Sequence, residues 1–450
     1  MRVKICSLIL VPCLILASLF ILSSCVMNES VGIVDAKINK DGELVLFYSN
    51  GDSQNVGTVV GEKGSDGKDG VDGEDGSDGA GNDSSQIIIN GESSIAAASA
   101  KGLRSAVSIN CVYKSSASQS GRYPGVGGAS SEYSSSGSGV IYKLDKLSGD
   151  AFVITNYHVV YDSSSNTSNG ISSDISVYLY GSETEEQAIK ATYVGGSPYY
   201  DIAVLRIEGS EILKNSTATQ VDVCDSDMVV VGNSAIAIGN AQAYGISASF
   251  GIVSVDSEYI TMTASDGKSE VSFRVMRIDT AVNSGNSGGG LFDDKGRLIG
   301  IVNAKLVEDG VENIGYAIPS NVAVSIADNI IDYCLGTSLE RVQRAILGIK
   351  VMASDSSAVF DSQTGLISIK ETVSVYEVTK NSLADGVLQA GDILVSITVK
   401  GDTTVISRQY HIIDMMLDVR VGDTVTLNII RGEEEKIVSV IITESCLTEY

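Results

Sequence analysis

Between residues 106 and 331 the chain repeats one pattern: short apolar runs broken by Gly, Ser, Asn or Asp. Such runs predict many short strands joined by turns, and the region reads as an all-β barrel fold. The clearest strands are 177–180, 202–207, 229–231 and 298–302. Serine-rich stretches at 115–138 and 162–173 read as surface loops. Helical spacing enters at the edges, in an alanine-rich segment at 96–103 and in apolar residues over 322–334.

Within this region, Asn283-Ser284-Gly285-Asn286-Ser287-Gly288-Gly289-Gly290 sets a serine in a glycine-dense turn. Glycine opens backbone conformations that a Cβ forbids. The N–H groups of Gly285 and Ser287 can then face one point, where an oxyanion would form. A serine nucleophile needs a base, here a histidine held by a carboxylate. The chain has two histidines. His158 lies in Thr155-Asn156-Tyr157-His158-Val159-Val160, and Tyr200-Asp201-Ile202-Ala203-Val204-Leu205 opens an apolar strand with an aspartate. Taken singly, these are a turn serine, a core histidine and a turn-capping aspartate. Taken in the order His, Asp, Ser, they have the arrangement of chymotrypsin-like proteases.

Further blocks stand in sequence around them: Ser138-Gly139-Val140-Ile141, Ala237-Ile238-Gly239-Asn240, Gly251-Ile252-Val253-Ser254 and Ile314-Gly315-Tyr316-Ala317-Ile318-Pro319-Ser320-Asn321. With these, the chain resembles the HtrA/DegP family of serine proteases carrying one C-terminal PDZ domain. The resemblance covers residues 95–445 and implies a mainly β fold. A chymotrypsin-like double β-barrel would occupy 95–335. A PDZ domain, a β-sandwich with helices, would occupy 345–445.

The resemblance also implies chemistry. His158, Asp201 and Ser287 would be catalytic, with Gly285, Asn286 and Ser287 forming the oxyanion hole. The reaction would be ATP-independent acyl-enzyme cleavage of unfolded or misfolded proteins, with no cofactor and no metal; the alternative is a surface chaperone or peptide-binding protein in which proteolysis is secondary. The primary pocket would come from segments before Ser287 and after Ile299, with Ala281, Val302, Asn303, Ala304 and Lys305 as candidates. Ala281, six residues before the serine, stands where an aspartate would select basic side chains, so a small or medium apolar residue is expected. Ile346-Leu347-Gly348-Ile349 resembles a PDZ carboxylate loop, which takes C-terminal peptides by strand addition. His411 would sit on a surface helix beside that groove. A homotrimer is implied as well. Two departures stand out: Gly290 replaces a usual proline, and Ala241-Gln242-Ala243 replaces Pro-Leu-Gly.

The N-terminus reads as a targeting segment. Arg2 and Lys4 precede an apolar stretch over 5–22, and Leu22-Ser23-Ser24-Cys25 follows. This resembles a bacterial lipoprotein signal over 1–24, which would tether a lipidated Cys25 to the outer face of the cytoplasmic membrane. A plain signal peptide or an uncleaved anchor are the alternatives. Residues 25–60 read as a short β segment with a hairpin at 42–52. Across 61–94, Gly61, Gly64, Gly67, Gly70, Gly73, Gly76 and Gly79 hold the collagen period without proline. A triple helix and an acidic flexible spacer both fit.

The net charge of −25 argues against nucleic acid as a partner and against an electrostatic grip on anionic lipid. Past Cys25 the cysteines are Cys111, Cys224, Cys334 and Cys446, widely spaced and without a metal-binding pattern. They read as small buried hydrophobes, and as disulfides they would allow three pairings among which the sequence does not choose.

Overall fold

The structure, a computed structural model, describes residues 33–40, 43–58, 95–115, 131–304 and 313–450. Cys25, the glycine repeat and Lys305 lie outside the described residues. The chain divides into two units, residues 1–86 and 87–450.

In the first unit, β1 (Ile33–Ile38), β2 (Glu43–Tyr48) and β3 (Ser53–Thr58) form an antiparallel sheet in that order. Asn39 and Glu43 bind each other three times across the first turn: the Asn39 N–H donates to Glu43 O at 2.9 Å, and the Glu43 N–H to Asn39 Oδ1 and Asn39 Nδ2 to Glu43 Oε2 at 3.0 Å each.

The second unit opens with α1 (Ile95–Leu103) and continues into β4 (Ala106–Ser115), β5 (Ser131–Asp145) and β6 (Asp150–Thr155). The short helix α2 (Tyr157–Val160) follows, then β7 (Asp174–Leu179), β8 (Ile189–Ser197) and β9 (Ile202–Ile207). These strands close a barrel in the order β4-β5-β6-β9-β8-β7. A second barrel uses β10 (Ser234–Gly239), β11 (Ser247–Thr263), β12 (Glu270–Ile278), β13 (Gly290–Phe292), β14 (Leu298–Val302) and β15 (Gly315–Pro319). Its closed order is β10-β11-β12-β15-β14-β13.

Period-2 alternation explains why several strands are apolar throughout. In β9, Ala203 and Leu205 enter the first barrel's core, while Ile202 and Val204 join the cluster outside it. In β10, Ala235 and Ala237 face the second barrel's core, while Ile236 and Ile238 join that same outer cluster. Helix α3 (Ser320–Cys334) covers the cluster with a stripe of Val322, Ala323, Ile326, Ala327 and Ile330, all buried. The two barrels are thus welded through a shared apolar layer.

One strand expected from sequence is absent. Val229–Val231 follows a 3₁₀ turn and stays irregular, because the Asn233 side chain accepts the Val230 N–H at 2.9 Å and turns the backbone there. Cys111, Cys224 and Cys334 are buried thiols, and Cys446 is half-buried.

The C-terminal lobe holds β16 (Gln343–Ala345), β17 (Ile349–Phe360), β18 (Ile367–Val378), β19 (Ile393–Val399) and β20 (Asp402–Val405). Helix α4 (Gln409–Met415), β21 (Thr424–Arg431), β22 (Glu434–Ile441) and β23 (Leu447–Glu449) complete it. The main sheet runs β17-β18-β19-β21-β22, with β20 on β19, and β23 pairs with β16.

The lobe meets the second barrel through buried charge. Arg274 of β12 is 3 % exposed. Its guanidinium donates to Asp227 at 2.9 Å and to Asp414 of α4, and it lies 3.5 Å from the Tyr410 ring centroid. His411 is buried in this cluster, where its Nδ1 accepts the Ser407 N–H at 3.2 Å and its ring meets Tyr410 edge-on. The surface position expected for it is therefore wrong: α4 turns that face inward to bring Tyr410 and Asp414 to Arg274. Burial holds the His411 imidazole below its ordinary pKa.

Candidate active site

The two barrels bring His158, Asp201 and Ser287 to one cleft. His158 leaves the end of β6 on α2, a single helical turn. Asp201 occupies the turn before β9 with φ of 55°, a left-handed conformation that aspartate tolerates better than most residues. Its carbonyl oxygen is clamped by the Asn156 side chain at 2.8 Å and the Tyr157 N–H at 3.1 Å.

The Asp201 carboxylate is 1 % exposed and fully engaged. Oδ2 lies 2.6 Å from His158 Nδ1 and accepts Asn303 Nδ2 at 2.8 Å. Oδ1 accepts the His158 backbone N–H at 2.9 Å and the Ser265 hydroxyl at 2.6 Å. Burial alone would raise the acid's pKa. The adjoining His158 charge and these donors outweigh burial and hold it below the ordinary 3.8. The Nδ1 contact fixes the imidazole so that Nε2 is the free position, as a general base requires.

Ser287 sits on the turn from the second barrel and is 5 % exposed. Gly285 and Gly288 flank it at φ of 95° and 83°. Any Cβ at Gly285 would strike the Asn240 carbonyl, and one at Gly288 the Ser138 carbonyl and Thr155 hydroxyl. The first barrel grips this turn directly. The Ser138 N–H donates to Ser287 O at 2.9 Å, and the Ser138 hydroxyl donates to Gly285 O at 2.6 Å. From the other side, the Gln242 N–H holds Ser284 O at 2.7 Å.

Neither the Gly285 nor the Ser287 N–H donates to a described residue, so both are free to receive an oxyanion. Asn286, grouped with them on sequence grounds, does not share that role. Its N–H turns back to Asn283 O at 3.0 Å. Among the described residues no hydrogen bond joins the His158 ring to Ser287 Oγ, which accepts the Ala304 N–H at 3.2 Å instead.

The family model for the trypsin-like peptidase domain matches residues 137–301. The chain is 34 % identical to "Serine protease Do-like HtrA" of Lactococcus lactis subsp. cremoris strain MG1363, over 70 % of its own length and 72 % of that protein's. The chain belongs to the HtrA/DegP family. It is 30 % identical to the periplasmic serine endoprotease DegP of Escherichia coli K12, over 73 % of its length and 61 % of DegP's. A solved structure of the HtrA-type protease AlgW with a decapeptide aligns at a TM-score of 0.48 and 22 % identity, covering 79 % of this chain and 98 % of that one.

This HtrA-family chain is a serine endopeptidase with a trypsin-like peptidase domain. The residues expected to line its primary pocket divide. Ala281 is exposed beside the cleft, and its carbonyl accepts the Ser249 hydroxyl at 2.8 Å. Ala304 reaches Ser287 through its N–H. Val302 does not line a pocket: its side chain lies in the second barrel's core. Asn303 is fully buried against Asp201. Strand β14 puts Ile301 in the shared layer and Val302 in the barrel core, and the same alternation carries Asn303 to the shared side, where its amide meets Asp201.

In the C-terminal lobe of this protease, a cavity of about 450 Å³ runs between Ile346-Leu347-Gly348-Ile349 on one side and Ile412 and Met416 on the other. Gly348 has φ of 76°. Leu347 O accepts the Ala384 N–H at 2.9 Å, and Gly348 O accepts the Thr379 N–H at 2.8 Å. The Leu347 and Gly348 N–H groups have no acceptor among the described residues. Tyr259 of β11 also lines this cavity, so the second barrel supplies part of its wall.

Proposed function

We propose that this protein cleaves unfolded or misfolded proteins in the bacterial cell envelope by a Ser287–His158–Asp201 acyl-enzyme mechanism. The observation that carries the reading is the 2.6 Å contact between His158 Nδ1 and Asp201 Oδ2, with Asn303 bonded to the same carboxylate and its neighbour Ala304 bonded to Ser287 Oγ. His158 Nε2 takes the proton from Ser287 Oγ as the oxygen attacks the scissile carbonyl carbon. The oxyanion is received by the Gly285 and Ser287 N–H groups, and loss of one such donor commonly costs about 100- to 1000-fold in rate. The imidazolium then protonates the departing amine, and water repeats the sequence in reverse to free the acyl group. Substrate entry draws Ser287 Oγ away from Ala304 N–H and toward His158, since such contacts tighten on substrate binding. The side chain before the cut is small or medium and apolar, as Ala281 suits.

The C-terminal lobe acts as a PDZ domain. Its loop at Ile346, Leu347, Gly348 and Ile349 offers N–H groups to a peptide carboxylate, and the apolar groove takes the last side chains. A lipidated Cys25 tethers the protein to the outer face of the cytoplasmic membrane, and the glycine repeat and family resemblance favour a homotrimer.

Labelling by a fluorophosphonate probe tests the triad. The wild-type protein labels, and Ser287→Ala and His158→Ala do not. Labelling that persists in Ser287→Ala would sink the assignment.

A further inference from the structure

The Asp201 carboxylate receives a donor that the triad does not need by definition. Ser265 lies 64 residues further along the chain, at the tip of the β11–β12 hairpin, and its hydroxyl donates to Oδ1 at 2.6 Å. Strand β11 has 17 residues and β12 has 9, so the hairpin reaches well past the barrel that roots it. Its tip is pinned on several sides. The Ser265 N–H donates to Pro198 O at 3.1 Å, in the segment that leads into Asp201. The Tyr161 hydroxyl, just past α2, donates to Asp266 O at 3.4 Å. Within the turn, the Gly267 N–H bonds Ala264 O and the Ala264 N–H bonds Ser269 O, each at 2.8 Å. Ala264 and Ser265 are both buried. The hydroxyl is therefore held on the carboxylate, with no freedom to rotate into solvent.

We infer that Ser265 is a positioning residue for the triad. Its hydroxyl keeps Oδ1 occupied and fixes the carboxylate plane so that Oδ2 stays on His158 Nδ1. The inference rests on the triad reading above. Losing the donor leaves Oδ1 with the His158 backbone N–H alone in a site without water access. The carboxylate plane is then held only by the His158 and Asn303 contacts, and the imidazole's partner is less firmly fixed. The titratable side chain in contact with Asp201 is His158. Asp266 of the same tip faces Lys268 and Arg341, each at 3.7 Å.

The test measures kcat/KM against pH for the full chain on an unfolded casein substrate. Ser265→Ala is expected to lose about 10-fold, with the acid limb displaced upward by about half a pH unit, because a donor that favours the ionised carboxylate is gone. Ser265→Thr restores both values. Ser265→Cys keeps the shape with a weaker donor and falls between, which covers the case where the alanine variant does not fold. A wild-type rate and acid limb in Ser265→Ala or Ser265→Cys overturns the inference. An equal loss at every pH, unrelieved by threonine, assigns Ser265 to packing and overturns it too. Ser287→Ala, run alongside, separates the two failures: cleavage retained there refutes the triad itself.

Discussion

Asp201 and Asp414 are both carboxylates withdrawn from water beside a basic partner, yet their acidities move in opposite directions. Asp201 is held below 3.8, while Asp414 is raised to about 6. Burial pushes both upward. At Asp201, His158 and hydrogen bonds to both oxygens outweigh it. At Asp414 burial wins over Arg274, because Asp227 shares that guanidinium and adds a like charge. Proximity to a basic side chain is therefore not enough. What decides is how many donors each oxygen receives, and whether a second anion competes for them.

The comparison is broken most severely at Asp201. Asp201→Asn keeps the shape but reverses a donor and an acceptor beside His158, and kcat is expected to drop about 10,000-fold. A loss under tenfold in steady-state cleavage would show that the contact does not orient the base.

Arg274→Met attacks the other carboxylate. It leaves Asp227 and Asp414 facing each other without their cation, and the folded state should lose about 3–5 kcal/mol in urea unfolding. An unchanged midpoint would mean that the lobe docks through its apolar contacts alone.

Asp414→Asn is the mildest and sharpens the contrast in pH. A raised acid binds its proton more tightly in the folded state. Its contribution is complete below the unfolded value near 3.8 and is lost as pH rises through about 6. Wild type should therefore gain stability between pH 6 and 4 relative to Asp414→Asn, by thermal melts across that range. Asp201 behaves inversely: its contribution is present above 3.8 and is lost as pH falls through its lower folded value.

The barrel class was legible because strand periodicity restricts where apolar residues fall, and His158, Asp201 and Ser287 stood out because chemistry restricts which residues can serve. Helices at 96–103 and 322–334 also showed in their spacing, against the observed Ile95–Leu103 and Ser320–Cys334. What escaped depends on contacts between distant segments. Ser265 stands in Thr263-Ala264-Ser265-Asp266-Gly267, which reads as an ordinary hairpin turn. Only the lengths of β11 and β12 bring it to Asp201. Asn303 followed an apolar strand and looked like a pocket residue, and only the packing of one barrel on the other brings its amide to Asp201. Asn286 sat between two oxyanion donors, but its N–H was claimed by the turn that presents them. His411 sits on a short helix, and nothing in that helix reveals the Arg274 cluster that buries it.

The division of labour between the barrels also sets a schedule. A ribosome that has released residues up to 280 has supplied His158 and Asp201 but not Ser287, and Asn303 is still to come. The gripping contacts from Ser138 to Gly285 and Ser287 wait on the same late segment. A chain still being synthesised is therefore unarmed until most of its own protease domain is present. The interval in which it could cut unfinished neighbours, or itself, is confined to the last third of its synthesis.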